Sequence, residues 1–152
     1  MPALIFRKAV QTDLRTLILL LADDELGQNR ETVSDPIADC YIRALKAIEE
    51  DQNQLLVAVL EDDQIIGCMQ LSYIPGLSRS GMWRGQIESV RIAPSHRGRG
   101  IGHRMIEWAI ENFRERGCGL VQLTSDKTRP DALRFYSSLG FAPTHEGFKL
   151  SL

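Results

Sequence analysis

The segment Val90–Gly102, VRIAPSHRGRGIG, decides the fold of this chain. A β-type stretch ends at Pro94, a loop with three glycines and two arginines follows, and a helix is predicted to begin near Gly100. The first N–H groups of a helix have no partner within it and lie at the positive end of its dipole, so they attract anions. The segment therefore predicts a binding loop for a phosphate or pyrophosphate group.

The loop departs from two common nucleotide-binding motifs. A P-loop ends in Gly-Lys-Ser/Thr, whereas Gly102 is followed by His103 and Arg104. The dinucleotide-binding fingerprint spaces its glycines as G-x-G-x-x-G, whereas the spacing here is G-x-G-x-G. The pattern thus argues against a nucleoside triphosphatase and against a dinucleotide-binding fold.

A second block lies one predicted helix and one predicted strand further on. Arg129–Phe141, RPDALRFYSSLGF, combines an A-x-x-F-Y helix pattern with a following L-G-F. Together with Arg97-x-x-Gly100-x-Gly102, this block resembles the GNAT superfamily of acyl-CoA-dependent N-acyltransferases, most strongly from Gln86 to Phe141. The resemblance implies acetyl-CoA as the acyl donor, and we expect no metal.

Composition limits the remaining function classes. The 152 residues predict a single domain, 1–152, that is large enough to bury a core. A net charge of −2 gives no electrostatic support for nucleic-acid binding, and no apolar run is long enough to cross a membrane. The widely spaced Cys40, Cys68 and Cys118 lack metal-ligand spacing, and we interpret them as reduced thiols of a cytoplasmic protein.

Apolar periodicity predicts the element order β-α-α-β-β-β-α-β-α-β-β. We expect Thr12 to cap the first helix, Asp35-Pro36 to open the second, Pro130 to open the last and Gly140 to end it. Asp62-Asp63-Gln64 is expected to join two strands as a hairpin. Residues 23–34 form a polar break between the first two helices. The order predicts an α/β fold of GNAT type, a mixed, mostly antiparallel sheet with helices on both faces.

The C-terminal tail alternates apolar and polar residues, with Phe148, Leu150 and Leu152 on one side. This alternation predicts a final strand. The strand either completes the sheet of its own chain or crosses to a second subunit, and we expect a homodimer.

The resemblance implies how the donor is held. The backbone amides from Arg99 through Gly100, Ile101 and Gly102 to His103 are expected to face the pyrophosphate, with Arg97 beside them. The pantetheine arm is expected along Val90–Ile92, and an N–H near Val90 is expected to face the thioester oxygen. The alternative is that Arg97 and Arg99 belong to a merely solvated basic loop.

Tyr136 is the candidate general acid. A phenol with an ordinary pKa near 10 stays protonated at neutral pH and can donate its proton to the leaving thiolate. The resemblance implies this role for the tyrosine of the Phe-Tyr pair. The alternative is a core tyrosine whose hydroxyl finds any available partner.

Glu88 is the candidate general base. It lies two residues before Val90, so strand alternation predicts that both side chains share one face. A carboxylate there can take a proton from the amine directly or through a water molecule. The alternative is a surface glutamate that pairs with Arg91 or Arg84.

These patterns predict a cytoplasmic N-acetyltransferase that moves the acetyl group of acetyl-CoA to a primary amine of a small molecule. Direct transfer in a ternary complex is favoured because neither motif contains a cysteine that would carry the acyl group. Two alternatives stay open: a non-catalytic acyl-CoA sensor and an acetyltransferase of protein amino groups. Arg129 stands where similar proteins frequently carry an asparagine that helps hold the pantetheine. Either Ser125 or Thr124 takes over that contact, or Arg129 reaches a cofactor phosphate.

Overall fold

A computed structural model describes residues 2–129 and 131–152 of the chain. The described strands are β1 Ile5–Lys8, β2 Gln54–Glu61, β3 Gln64–Ile74, β4 Arg84–Ile92 and β5 Leu120–Leu123. The described helices are α1 Leu14–Ala22, α2 Glu25–Arg30, α3 Asp39–Glu50, α4 Ser78–Gly81, α5 Ile101–Glu115 and α6 Ala132–Ser138. Two short 3-10 turns, Gln11–Asp13 and Pro94–His96, precede α1 and α5.

The strands form one sheet in the order β1-β2-β3-β4-β5, with the pairs from β1 to β4 antiparallel. The predicted hairpin between β2 and β3 is confirmed: Glu61 pairs with Gln64 across Asp62 and Asp63. Both aspartates adopt positive φ, 47° and 63°, as a two-residue hairpin turn that follows strand twist requires. The predicted mixed, mostly antiparallel α/β fold is confirmed.

Helices cover both faces of this sheet. On one face, Leu17 and Leu20 of α1 pack with Ala58 and Cys68 of the sheet. Gly67, the neighbour of Cys68 in β3, points to the opposite face, where the Met105 side chain of α5 lies against it. Gly85 of β4 is needed there because a Cβ would overlap the ring of Phe113, again from α5.

The start of α1 differs from the sequence prediction. Its N-cap is Asp13 and not Thr12, and a 3-10 turn precedes it. The Asp13 carboxylate accepts hydrogen bonds from the Val10 N–H at 2.8 Å and from the Arg7 guanidinium at 2.7 and 3.0 Å. The hydrogen bond from Arg7 holds the pKa of this carboxyl below its usual range. Asp13 therefore fixes the turn that Thr12 was expected to cap.

Two further helix boundaries correct the prediction. The polar break contains a helix, α2, because the Asp24 carboxylate caps it by accepting the Gly27 N–H at 2.6 Å. Helix α3 begins at Asp39, after an extended Ala38, and not at Asp35-Pro36. The opening residue predicted for α6, Pro130, lies outside the described residues. The predicted end of α6 is confirmed by Gly140, whose φ is 90°.

The chain divides into two compact units, Met1–Gln122 and Leu123–Leu152. No residue of 123–129 and 131–152 is buried. The tail does not complete the sheet of its own chain, because residues 141–152 contain no strand and Phe148, Leu150 and Leu152 are exposed. A strand that crosses to a second subunit stays a prediction. Three alternating apolar side chains do not by themselves supply the neighbouring strand whose backbone a new strand must bond.

None of the described helices has the length and the apolar character needed to cross a lipid bilayer.

Candidate active site

The glycine loop enters α5 in the conformation that its sequence predicts. Gly98 and Gly100 have φ of 73° and 75°, in the left-handed region that favours glycine, and Gly100 is the N-cap of α5. The Arg104 N–H donates to the Gly100 carbonyl at 3.3 Å and so closes the first helical turn. The N–H groups of Ile101, Gly102 and His103 lie ahead of that bond and have no i−4 carbonyl inside the helix.

Both arginines of the loop are paired with carboxylates of other elements. The Arg97 Nη2 donates to the Asp23 Oδ2 at 2.6 Å, and its Nε donates to the Ile92 carbonyl at 3.2 Å. Arg99 forms a two-pronged pair with Glu61, at 3.1 and 3.2 Å. The loop is therefore tied to β2 and to the end of α1, unlike a merely solvated basic loop.

Glu61 is a functional candidate that the sequence analysis missed. Its residue is 9% exposed, and besides Arg99 its carboxylate lies 3.3 Å from the Nε2 of His96. One nearly buried carboxylate thus holds both sides of the turn that contains Gly98. No local signal reveals this role, because Glu61 is 38 residues from Arg99 and is followed by two further acidic residues.

The loop fits a diphosphate. The first N–H groups of α5 point along the helix axis, and the two left-handed glycines leave open space where a Cβ would stand. The residues that would hold the group are Gly100, Ile101, Gly102 and His103 through their backbone, and Arg97 and Arg99 through their side chains. Their contacts with a donor stay a prediction.

Strand β4 contains a bulge at its centre. The β3–β4 register pairs Glu88 with Gln70 and Arg91 with Cys68, so Ser89 and Val90 together face one residue of β3. Ser89 has φ of 55°, which is unusual for a residue other than glycine, and such bulges often lie next to active sites. Strand alternation is broken at this point, and it therefore does not support the expectation that Glu88 and Val90 share one face.

Glu88 is exposed on the sheet face that carries α1. Its Oε1 accepts a hydrogen bond from the Nε2 of Gln86 at 2.8 Å. Of the two arginines considered as surface partners, Arg91 lies 3.9 Å from the Asp24 carboxylate. Glu88 stands immediately before the bulge, in the strand that leads to the glycine loop, and its role as base stays a prediction.

Tyr136 lies in α6, in the second unit, and is partly buried. Its ring packs edge-on against Phe135 and Phe141, with ring centroids 5.0 and 5.9 Å apart. The A-x-x-F-Y and L-G-F parts of the motif thus form one aromatic cluster. Arg129 lies in the same unit, where its N–H donates to the Asp126 carbonyl at 3.0 Å. Neither the acid role of Tyr136 nor a cofactor contact of Arg129 is tested by these contacts.

Within residues 2–129 and 131–152, no three histidine, cysteine, aspartate or glutamate side chains are grouped as metal ligands.

Comparison with known proteins identifies the family. The model of the Acetyltransferase (GNAT) family matches residues 18–141. A curated relative, the aminoalkylphosphonate N-acetyltransferase of Salmonella typhimurium, is 30% identical over 67% of this chain and 66% of its own length. The glucosamine 6-phosphate N-acetyltransferase of Trypanosoma brucei brucei is 36% identical over 59% of this chain and 58% of its own length. These alignments span less than two thirds of each relative.

A solved structure matches nearly the whole chain. The crystal structure of a transcriptional regulator from Bacillus halodurans C-125 is 45% identical, with a TM-score of 0.95, and the match covers 99% of this chain and 100% of that one. The family match runs through both sequence motifs, from before the glycine loop to the L-G-F. The chain belongs to the GNAT family of acetyltransferases.

Proposed function

We propose that the protein is an acetyl-CoA-dependent N-acetyltransferase that acts on a primary amine of a small molecule. The observation that carries the proposal is the left-handed glycine turn that opens α5 directly after β4, the strand that holds Glu88. The family match over residues 18–141 crosses both compact units, which supports one functional domain of residues 1–152.

In this mechanism, the bound donor supplies an acetyl thioester. Glu88 removes a proton from the amine, directly or through a water molecule, as the N–C bond forms. The Val90 N–H donates to the carbonyl oxygen as negative charge develops there. Tyr136 gives its proton to the sulfur as the C–S bond breaks. The products are an N-acetyl amine and a free thiol. One N–C bond replaces one C–S bond, and the proton that the amine loses is matched by the proton that the sulfur gains.

The cysteines support direct transfer over an acetylated enzyme. Burial raises the pKa of the Cys68 thiol to about 12, so this thiol stays protonated at neutral pH. Burial also raises the pKa of Cys118. A protonated thiol is a poor nucleophile. Cys40 is exposed, and it lies in α3, outside both motifs.

Small amines are the favoured acceptor class because the curated relatives from Salmonella typhimurium and Trypanosoma brucei are named for small-molecule amines. Protein amino groups are the alternative. The free cysteines agree with the reducing cytoplasm as the site of action. A homodimer is part of the proposal, and its support is the exposed apolar row of Phe148, Leu150 and Leu152.

A second candidate is a non-catalytic acyl-CoA sensor. The observation that favours it is the description of the 45% identical Bacillus halodurans protein as a transcriptional regulator. An enzyme and a sensor differ in one measurable property: only the enzyme releases thiol from acetyl-CoA at a rate that depends on the amine supplied.

The first test is calorimetric titration with acetyl-CoA. We expect low-micromolar binding to the wild type and none to the Arg97→Ala/Gly100→Asp double variant, because an aspartate at the left-handed N-cap places strain and negative charge where the diphosphate is held. Thermal unfolding of the variant checks that it is folded. Absence of binding to both proteins would contradict the proposal, and binding without thiol release to any amine would favour the sensor.

A further inference from the structure

An apolar cavity of about 130 Å³ lies in the unit that contains the glycine loop. Its walls come from α1, α3 and one face of the sheet, and among its lining residues only Gln70 and Ser89 are polar. Its lining residues include Leu14, Ile18 and Leu45, which also pack together in one buried cluster between α1 and α3. Cavities of this size bind a benzene-sized group when their walls are apolar.

The two polar lining residues lie at the candidate base. Ser89 follows Glu88 in β4, and Gln70 is the residue that pairs with Glu88 across the β3–β4 ladder. The cavity therefore runs from the α1–α3 interface to the bulge at which Glu88 stands. A molecule with its apolar end between the helices would present its polar end at this carboxylate.

The cavity walls are uncharged. The thiol of Cys68 contributes to the wall and stays protonated at neutral pH. The Tyr41 hydroxyl is engaged elsewhere: it donates to the Glu31 carboxylate at 2.7 Å and accepts the Thr32 N–H at 2.8 Å. Its ring thus faces the cavity as a hydrocarbon surface. A phosphate or carboxylate buried here would lose its water without gaining a partner charge.

We propose that the acceptor of this acetyltransferase is an amine with a compact apolar group, a branched aliphatic chain or a small aryl ring, which binds between α1 and α3 with its amino group at Glu88. This inference rests on the proposed function and names the substrate class of the same site. The proposed acceptor differs from aminoalkylphosphonate and glucosamine 6-phosphate, the compounds for which two relatives are named, because each of those compounds carries an anionic group.

A series of amines tests the substrate class. Thiol release from acetyl-CoA is measured with the wild type and ethylamine, butylamine, 3-methylbutylamine and 2-phenylethylamine. Ethanolamine and 2-aminoethylphosphonate serve as polar comparators. We expect kcat/KM to rise about fourfold for each buried carbon, so that 3-methylbutylamine, with three more carbons, exceeds ethylamine by roughly 60-fold. Both polar amines are expected to fall below butylamine.

A matched pair of variants on α3 tests the place. Ala44 lines the cavity and Ala47, on the same helix, does not. Both alanines are exposed, and Ala44→Leu adds its side chain at the cavity wall. We expect it to lower the ratio of kcat/KM for 3-methylbutylamine to that for ethylamine by about tenfold, whereas Ala47→Leu leaves the ratio unchanged.

The outcomes separate the two proposals. The apolar acceptor is overturned if thiol release is faster with the polar amines. It is also overturned if Ala44→Leu and Ala47→Leu give the same ratio of kcat/KM for 3-methylbutylamine to that for ethylamine. Either result leaves the acetyltransferase intact. Acetyl-CoA binding with no release to any of the six amines overturns the apolar acceptor, and the acetyltransferase itself is contradicted only when release is also absent with amino sugars and with peptide amines.

Discussion

The two sequence motifs of this chain have very different surroundings. The glycine loop is fixed from several sides: Glu61 holds Arg99 and His96, Asp23 holds Arg97, and α5 continues into a core around Phe113. The C-terminal motif lies in residues 123–152, where no described residue is buried. A motif can therefore be recognised equally well in a sequence whether the residues around it are buried or exposed in the structure.

The difference shows what a sequence pattern encodes. The contacts that hold the loop lie within its own unit, so we expect its geometry to be set before the proposed donor binds. In the second unit, the ring of Tyr136 packs edge-on against its motif neighbours Phe135 and Phe141. Substitutions in the two regions should therefore affect different properties of the protein, and four sets of variants test this comparison.

The largest effect is expected at Glu88. Glu88→Gln keeps the size of the side chain and its capacity to hydrogen-bond Gln86, but it removes the proposed base. We expect kcat to fall by about 10²- to 10⁴-fold at neutral pH while the Kd of acetyl-CoA stays within twofold. Steady-state rates across pH, together with calorimetry, measure both. An unchanged rate and pH profile would show that Glu88 is not the base.

Tyr136→Phe tests the second region. The phenyl ring keeps the edge-on packing against Phe135 and Phe141, so the fold of α6 should persist. We expect a smaller fall in kcat, by about 10- to 100-fold, because the thiolate that leaves can also take a proton from water. With thioester donors whose thiols are more acidic, the kcat of the variant should come closer to that of the wild type. A constant gap across such donors would argue for a packing role.

Glu61→Gln tests how the first region is prepared. The substitution removes the charge that holds Arg99 and His96 but keeps the shape of the side chain. We expect the Kd of acetyl-CoA to rise by about tenfold with little change in kcat, since a loop that is less ordered before binding must be ordered by it. Glu111→Gln is the control, because that glutamate pairs with Arg114 on the solvent side of the same helix α5.

The opposite result at Glu61 would also be informative. If Glu61→Gln binds acetyl-CoA more tightly than the wild type, the carboxylate competes with the donor for Arg99 and does not prepare the loop. Calorimetry at two salt concentrations separates these cases, because a released guanidinium makes binding to a polyanion more sensitive to salt.

The sequence predicted the fold class, the hairpin and the start of α5, because these depend on local signals: strand alternation, a two-residue turn and glycines that must adopt positive φ. It did not predict the role of Glu61 or the bulge at Ser89. Both depend on which strands are neighbours: Glu61 is 38 residues from Arg99 along the chain, and the bulge is defined only by the register with β3.

The tail shows the opposite error. Phe148, Leu150 and Leu152 alternate as a half-buried strand should, yet all three are exposed and unpaired with any strand. Alternation describes which side chains share a face, but a strand also needs a neighbour with free backbone groups. Within this chain, the alternation therefore did not produce a strand.

The smallest effect is expected at this tail. At protein concentrations where sedimentation shows a monomer, replacing Phe148, Leu150 and Leu152 by serine should change the free energy of unfolding by less than about 0.5 kcal/mol, because these side chains are already in water. Phe113→Ala, in the core beneath the sheet, should cost about 3–5 kcal/mol under the same conditions.

At higher protein concentration the same tail variant tests the proposed homodimer. If the apolar row is the contact, the wild type sediments as a dimer and the triple serine variant as a monomer, because each buried apolar side chain contributes about 1.5–3 kcal/mol to association. A dimer that survives the three substitutions would show that its interface lies elsewhere. A large loss of stability in the dilute monomer would instead show that the tail packs on its own chain. The two motif regions would then differ in how strongly their side chains pack, and not in whether they pack at all.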